Sequence, residues 1–402
     1  MKDQLSLLQT LSVETDSKIV MLVLDGIGGI PHPDTGLTEL ETAATPNLDA
    51  LAAISICGMS DPVMPGITPG SAPGHLGLFG YDPLEYYIGR GVLEALGIDF
   101  ELRDGDVAAR GNFCTLDENG IIVDRRAGRI STGKSTALAE QLCGIDVEGV
   151  EVIVKAVKDH RIIVVFRGEG LTDKITDSDP QRVGFRPQTV ERLAVDGSKM
   201  AEAANQFIEK ALHVLKNHHP ANGLVLRGFS QKPDLPGFSE IYKLKACAIA
   251  SYPMYRGLAK VVGMDIIRTG QTVQDEIQSL VENYRKYNYF FVHYKPTDAT
   301  GEDGKFERKV AMIEELDRVI PQIQALGPDV LVVTGDHSTP AVMKGHSWHS
   351  VPVMICGAFC RPDNVNSFNE RACLYGGLGH LTASQIMPVA MANAMKLEKY
   401  GA

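Results

Sequence analysis

Three short apolar runs in this chain each lead into side chains able to hold a divalent cation. "IVMLVLDGIG" ends in Asp25, and "YFFVHYKPTDATGEDG" leads to Asp298 and Glu302. "VLVVTGDHSTP" ends in Asp336 and His337, with His346 and His349 downstream as H-x-x-H. Carboxylate and imidazole donors together suit Mn²⁺ or Zn²⁺ and also admit Mg²⁺. A single aspartate after a strand is ordinarily a turn or cap residue, and a single histidine a satisfied polar group. Three acidic strand ends together with H-x-x-H argue instead for a metal site. Asp336 and His337 are adjacent, so at a strand end they point to opposite sides and can serve different ions. Two ions roughly 3.5–4 Å apart can clamp the entering and leaving oxygens of a phosphoryl transfer.

A second element is "MPGITPGSAPGHLGLFGYDP", where Ser71 stands between Gly70 and Ala72 with Pro69 and Pro73 beyond. The prolines and glycines predict a tight turn opening a helix at "HLGLFG". A serine there meets backbone N–H groups that favour negative charge. Metal bound to its oxygen would lower the hydroxyl pKa and make it a nucleophile. The plainer reading is a helix N-cap. His75 either touches the same site or only packs.

"GRISTGKS", Gly128 to Ser135, has the form of a phosphate-cradling P-loop. Such a loop follows a long buried strand and needs a Walker-B acid on a partner strand. Here only "IIV" and "DRRA" precede it, and "IIVVFRGEG" ends in Arg167 and Gly168. The charge is more informative: Arg125, Arg126 and Arg129 crowd together, with Arg110 upstream in "AARGNF". Guanidinium forks match carboxylate and phosphate oxygens, so the cluster reads as an anion clamp, the alternative being a solvated charge run. "STGKST" then opens a helix with Ser131 or Thr132 as its N-cap.

These groups need a scaffold. Short runs rich in Val and Ile alternate with helical stretches, which predicts an α/β fold with a central, mostly parallel sheet and helices on both faces. Expected strands include Ile19–Leu24, Tyr289–Val292, Val330–Val333 and Val353–Cys356. Expected helices include Thr136–Leu142, Lys199–Asn217 and Lys305–Leu326. Sites in such sheets form where strands end. The strands carrying the acids lie early and late in the chain, so residues 1–97 and 244–402 are expected to form one discontinuous core. Residues 98–243 are expected to form an inserted α+β domain, beginning with a hairpin turned at Asp-Glu-Asn-Gly. Hinges are expected near Gly91–Gly97 and Lys245–Gly257.

The 402 residues are ample for two domains. The net charge of -11 repels nucleic acid and anionic membranes, so neither is expected as a partner, and an anionic substrate needs a local basic cluster. Seven scattered cysteines without CxxC argue against a disulfide framework. The start of the chain has no signal-like or membrane-spanning run. A soluble, cytoplasmic protein is expected.

The motifs occur in an order that resembles the cofactor-independent phosphoglycerate mutases of archaeal type, within the alkaline phosphatase superfamily. "LVLDGIGG", "TPGSAPGHLGLFGYDP", "DRRAGRI", "SYPMYRGLAK", "KPTDATGEDG", "GDHSTP" and "HSWHSVPVMICG" carry the resemblance over most of the chain. It implies an alkaline-phosphatase-like core and a substrate-binding insert. It implies interconversion of 3- and 2-phosphoglycerate, without 2,3-bisphosphoglycerate, through a transient phosphoserine at Ser71. Asp25, Ser71, Asp336 and His337 would surround one metal; Asp298, His346 and residue 302 would surround the other. Manganese is expected first, with magnesium, cobalt or zinc as alternatives.

The family usually has D-x-x-x-H at this last position, but this chain has Glu302. Glutamate can ligate a hard cation, His349 can substitute, or the second site is weakened. Arg110, Arg125, Arg126, Arg129 and Arg227 would hold the glycerate carboxylate, with Arg256 and Lys260 as phosphate contacts. Asp124 would act as acid or base on a substrate hydroxyl, or pair with a neighbouring arginine. Closure of the domains would keep water from the phosphoserine. The same motifs leave room for a phosphatase or phosphopentomutase of that superfamily, or a non-catalytic phosphate-binding paralogue.

Overall fold

The computed structural model describes residues 4–401. Its strands are, in chain order, β1 (Ile19–Leu24), β2 (Ile56–Asp61), β3 (Val107–Leu116), β4 (Ile122–Asp124), β5 (Glu151–Lys158), β6 (Arg161–Arg167) and β7 (Gly223–Ser230). They continue with β8 (Ala246–Ala250), β9 (Asp265–Ile267), β10 (Tyr289–Tyr294), β11 (Val330–Thr334), β12 (Val351–Gly357) and β13 (Gly379–Thr382).

The chain divides into two compact units. One runs up to Tyr87 and resumes at Leu235; the other is Ile88–Asp234. The sequence alone puts these boundaries at 98 and 243. The helix Arg90–Gly97 moves the first one, because it packs on β3 and β7 and buries Val92, Leu93 and Ala95 there. The helix Phe238–Tyr242 moves the second, since Tyr242 donates to the Phe79 carbonyl of the first unit at 3.1 Å. The segments expected as hinges are thus regular structure: Gly91–Gly97 is helical, and Lys245–Gly257 contains β8 and the start of the helix Pro253–Val261.

The first unit is built on an eight-stranded sheet, ordered β13-β2-β12-β11-β1-β10-β8-β9. Only β12 runs against the other strands. β1 holds no polar side chain and is buried throughout, as a central strand covered on both faces requires. Its register pairs Ile19 with both Tyr289 and Val330, so β10, β1 and β11 end level with one another. The residues just past those ends are Asp25, Lys295 to Asp298, and Asp336 with His337.

Two strands of this sheet have no strong apolar signal. β2 reads "ICGMSD", and β8 reads "ACAIA", whose small side chains suit either helix or strand. The expected single helix Lys305–Leu326 is two helices, Phe306–Asp317 and Ile320–Ala325. Pro321 explains the restart: it cannot donate into a helix interior but fits its first turn.

The second unit is an antiparallel five-stranded sheet in which β3 pairs with β4, β6 and β7, and β6 pairs with β5. The hairpin β3–β4 turns at Asp117–Gly120, where the Gly120 N–H donates to the Asp117 carbonyl at 3.0 Å. The long helix Ser198–Leu215 covers the sheet with Met200, Ala204, Phe207 and Ala211. Among the described residues no helix is long and apolar enough to cross a membrane.

One close approach seats the helix Ser71–Leu78. A Cβ at Gly74 would lie 2.2 Å from the Asp336 carbonyl oxygen, so only glycine lets this helix rest on the loop after β11. Gly74→Ala is expected to destabilise the protein by about 1–3 kcal/mol, as overpacking does. Urea unfolding checks this, and an unchanged midpoint would mean that the helix is not seated this way.

Candidate active site

Ser71 is the first helical residue, and Gly70 is the N-cap. The Ser71 hydroxyl therefore does not cap the helix. It lies 3.3 Å from His337 Nε2. Around this pair the acids of the three strand ends converge. Asp25 Oδ1 is 3.4 Å from His337 Nε2, and Asp336 Oδ2 is 3.1 Å from the same nitrogen. Asp298 Oδ1 is 3.5 Å from His346 Nε2. The rings of His337 and His346 stack with centroids 3.6 Å apart.

Hydrogen bonds fix which imidazole nitrogen faces this centre. His346 Nδ1 is 2.9 Å from the Pro69 carbonyl, which can only accept, so Nδ1 carries a proton and Nε2 is the nitrogen turned toward the acids. Thr339 donates to Asp298 Oδ1 at 2.7 Å and accepts from His337 Nδ1 at 3.0 Å, which leaves His337 Nε2 as the free nitrogen. Such outer partners are what orient metal-ligating histidines. His75 is fully buried; its Nδ1 donates to the Ser71 carbonyl at 2.8 Å and lies 3.1 Å from Asp336 Oδ2. It supports both Ser71 and Asp336 from beneath.

The donor set fits divalent cations. Asp25, Asp336 and His337 form one group, and Asp298, His337 and His346 another, with the donor atoms of each group within 4.8 Å of one another. Asp25 Oδ1 and Asp336 Oδ2 are buried without a hydrogen bond. A buried charged oxygen without a partner is costly, and a cation is the partner this geometry admits. Glu302 is outside both groups. Its carboxylate is 57% exposed, and Oε1 lies 3.8 Å from His346 Nε2, at the rim. His349 is also outside; its Nδ1 pairs with Ser347 Oγ at 3.0 Å and its ring stacks on Trp348.

The field here is strongly negative. Burial lowers the His346 pKa, but the hydrogen bond and charge of Asp298 outweigh it and raise it to about 9. Burial pushes the Asp25 carboxyl up, yet Lys295 and His293 overcome this and hold it well below its usual range. Burial and the neighbouring Asp25 likewise push Asp298 up, and His346 and Lys295 reverse the shift.

Several of these partners carry no motif signal. Lys295 Nζ reaches Asp25 Oδ2 at 3.0 Å, the Tyr255 hydroxyl at 2.8 Å and Asp298 Oδ2. His293, inside β10, donates to Asp25 Oδ2 at 3.0 Å. Lys309 is fully buried and donates to the carbonyls of Gly28 at 3.0 Å and Thr339 at 2.9 Å, tying the loop after β1 to the loop after β11. Glu370 accepts from Gly29 N and Thr38 Oγ1, both at 2.8 Å, and secures the first loop again. The one available clue is the end of the apolar run at "VHYKP", where polar residues follow Val292.

In the second unit arginines gather across neighbouring strands. Arg110 on β3 and Arg227 on β7 are register partners. Arg110 is buried and sits 3.4 Å from Glu94, and its pKa is lowered to about 9 by burial. Asp179 receives Arg125 Nη2 at 2.8 Å and lies 3.9 Å from Arg227 Nε. Arg90 and Arg161, absent from the sequence reading, add their charge to the same cluster. Arg126 and Arg129 are exposed. Arg256 and Lys260 lie in the first unit, on the helix Pro253–Val261.

Asp124 shapes the turn that carries these residues. Its Oδ1 accepts from Arg126 N at 2.8 Å and its Oδ2 from Gly128 N at 2.6 Å. The turn is left-handed at Ala127, Gly128 and Arg129, with φ of 45°, 61° and 53°. Two non-glycine residues in that region store strain of about 1–2 kcal/mol each, which the carboxylate must hold in place. The "GRISTGKS" stretch is no P-loop. Ser131 caps the helix Thr132–Leu142 by accepting from Lys134 N at 3.3 Å, and the strand before it, β4, is short and antiparallel.

Solved structures share this fold. A protein from Pyrococcus horikoshii is 32% identical with a TM-score of 0.84, covering 96% of this chain and 99% of its own. A cofactor-independent phosphoglycerate mutase from Thermoplasma acidophilum is 30% identical with a TM-score of 0.68, covering 94% and 99%. The family described as 2,3-bisphosphoglycerate-independent phosphoglycerate mutase matches residues 52–222. A relative from Thermotoga neapolitana, named a "probable 2,3-bisphosphoglycerate-independent phosphoglycerate mutase", is 53% identical over the full length of both chains. One of the same name from Thermus thermophilus is 48% identical, again at full length. The chain belongs to the 2,3-bisphosphoglycerate-independent phosphoglycerate mutases. Membership makes it an isomerase acting on a small phosphorylated substrate.

His160 gives the arginine cluster a pH signature. It is buried, its Nδ1 has no hydrogen bond, and burial together with Arg161, Arg110 and Arg126 lowers its pKa to about 4 from 6.5. The unfolded chain therefore binds this proton more tightly, and the stability contribution is present above pH 6.5 and is lost as pH falls toward 4. His160→Gln should flatten the stability profile across that window in denaturant titrations. An unaltered profile would show that the imidazole is not held neutral.

Proposed function

We propose that this chain interconverts 3-phosphoglycerate and 2-phosphoglycerate, with Ser71 carrying the phosphoryl group in transit. The observation that carries the reading is the placement of the Ser71 hydroxyl, 3.3 Å from His337 Nε2 at a helix N-terminus, among the acids of three strand ends. Asp25, Ser71, Asp336 and His337 would hold one divalent cation, and Asp298 and His346, with His337 beside them and Glu302 at the rim, a second. Manganese is the first choice, with magnesium, cobalt or zinc as alternatives, and such ions supply Lewis acidity to phosphate oxygens and make a bound hydroxyl easier to deprotonate.

The chain's own groups do the rest. Ser71 Oγ bonds to phosphorus as the glycerate C–O oxygen leaves, and that oxygen ends with the proton the serine gives up. The reverse step on the other hydroxyl completes the isomerisation, so no added 2,3-bisphosphoglycerate is consumed. The exposed N-terminus of the helix Ser71–Leu78 favours the negative phosphoryl oxygens. Arg110, Arg125, Arg126, Arg129 and Arg227 recognise the carboxylate, and Arg256 and Lys260 add positive charge for the phosphate. Seven unpaired cysteines fit a reducing, cytoplasmic setting.

The direct test measures 2-phosphoglycerate and free phosphate together in Mn²⁺, Mg²⁺, Co²⁺ and Zn²⁺. Isomer without free phosphate is the expected result, and predominant phosphate release would make the chain a phosphatase. Ser71→Ala should remove turnover by at least about 10³-fold while metal still binds. Turnover within tenfold of wild type would exclude Ser71 as the carrier.

Glu302 separates two versions of the second cation site. Because it lies at the rim, Glu302→Ala is expected to weaken Mn²⁺ binding by no more than about threefold, by calorimetry. A loss of tenfold or more would make Glu302 a full ligand.

A further inference from the structure

We propose that Lys295 is a positioning residue that orients both key carboxylates and keeps the bound cations exchangeable. The inference rests on the two-cation reading above. Lys295 follows β10 directly, and its ammonium touches one oxygen from each group: Asp25 Oδ2 at 3.0 Å and Asp298 Oδ2. Its remaining partner, the Tyr255 hydroxyl at 2.8 Å, belongs to a ring stacked on His293 with centroids 3.7 Å apart. His293 in turn donates to the same Asp25 oxygen at 3.0 Å.

Both aspartates are thereby split in function. Asp25 Oδ2 is occupied by an ammonium and an imidazole, and Oδ1 is left without a hydrogen bond, 3.4 Å from His337 Nε2. Asp298 Oδ2 is occupied by the same ammonium, and Oδ1 faces His346 Nε2 at 3.5 Å. Each carboxylate can then give a cation one oxygen only. The lysine also withdraws charge from both donors, and its own charge repels a divalent ion a few ångströms away. At an effective dielectric constant of about 20, a unit charge at that range changes affinity by more than roughly tenfold. A structural spacer would act oppositely, because its loss would loosen the donors and weaken binding.

The experiment compares the full-length wild type with Lys295→Met and Lys295→Arg, each loaded with Mn²⁺ and titrated with a competing chelator. Lys295→Met is expected to hold Mn²⁺ about tenfold more tightly or better, and to turn over more slowly. Lys295→Arg, which keeps the charge, should stay within about threefold of wild type in affinity. Should the methionine variant fail to fold, Lys295→Gln keeps a donor of similar reach without charge and should show the same tightening. Equal or weaker Mn²⁺ retention in the neutral variants overturns the proposal. A wild type that binds none of Mn²⁺, Mg²⁺, Co²⁺ or Zn²⁺ overturns the two-cation reading itself, which is a distinguishable result.

Discussion

Three carboxylates, Asp25, Asp298 and Asp336, are buried together at the ends of three adjacent parallel strands, and their mutual repulsion is what the surrounding structure must contain. Like charges within a few ångströms and away from water are strongly unfavourable. Partners reach them from beside: the Lys295 ammonium bridges two, His75 lies against Asp336, and the His293 imidazole, whose pKa burial lowers, donates a hydrogen bond to Asp25. The closure of the surrounding loops serves the same demand. Lys309 ties the loops after β1 and β11 together, its ammonium donating to one carbonyl of each and lying 4.0 Å from Glu39 Oε1. The fold thus concentrates negative charge at one point and then restrains every element that carries it.

The second unit applies the inverse arrangement. Arginines outnumber the acids that face them, and Asp179, Glu94 and Asp124 are used to hold guanidinium groups and a strained turn rather than to cancel the charge. Burial makes the Arg110 and Arg227 cations less favourable and lowers their pKa values. A cluster held at that cost is more readily explained by an anion to bind than by stability alone.

How legible this was in the sequence depended on where each residue sits in its element. Asp25, Asp298, Asp336 and His337 were visible because each follows an apolar run, where a polar residue interrupts a strong pattern. Lys295 and His293 contact the same atoms, but they lie within or one step beyond a strand the pattern ends early, at Val292, so they read as ordinary strand-end residues. Lys309 sits mid-helix, where a lysine is normally solvated; only the tertiary structure shows it fully buried. The parallel core was legible from its Val- and Ile-rich strands, whereas β2 and β8 were not, because their glycine, serine and alanine carry no periodicity. The boundary near 98 failed for a related reason: the helix Arg90–Gly97 looks alike whichever unit it packs against, and only its contacts with β3 and β7 assign it.

The charge distribution also constrains the order of events in the proposed reaction. A phosphoglycerate is anionic at both ends, and the chain carries a net charge of -11. The arginine cluster can receive a carboxylate as it stands. The acid-lined site cannot receive a phosphate on the same terms, because Asp25, Asp298 and Asp336 repel it and Lys295 alone offsets only one of those charges. Ser71 lies inside that negative field, so its hydroxyl is a poor acceptor for a phosphoryl group until the field is reversed. Under this reading cation binding must precede productive phosphate binding, and the residues that set cation affinity also set access to the nucleophile. That places Lys295 and the tautomers of His337 and His346, rather than the arginines, in control of the chemical step.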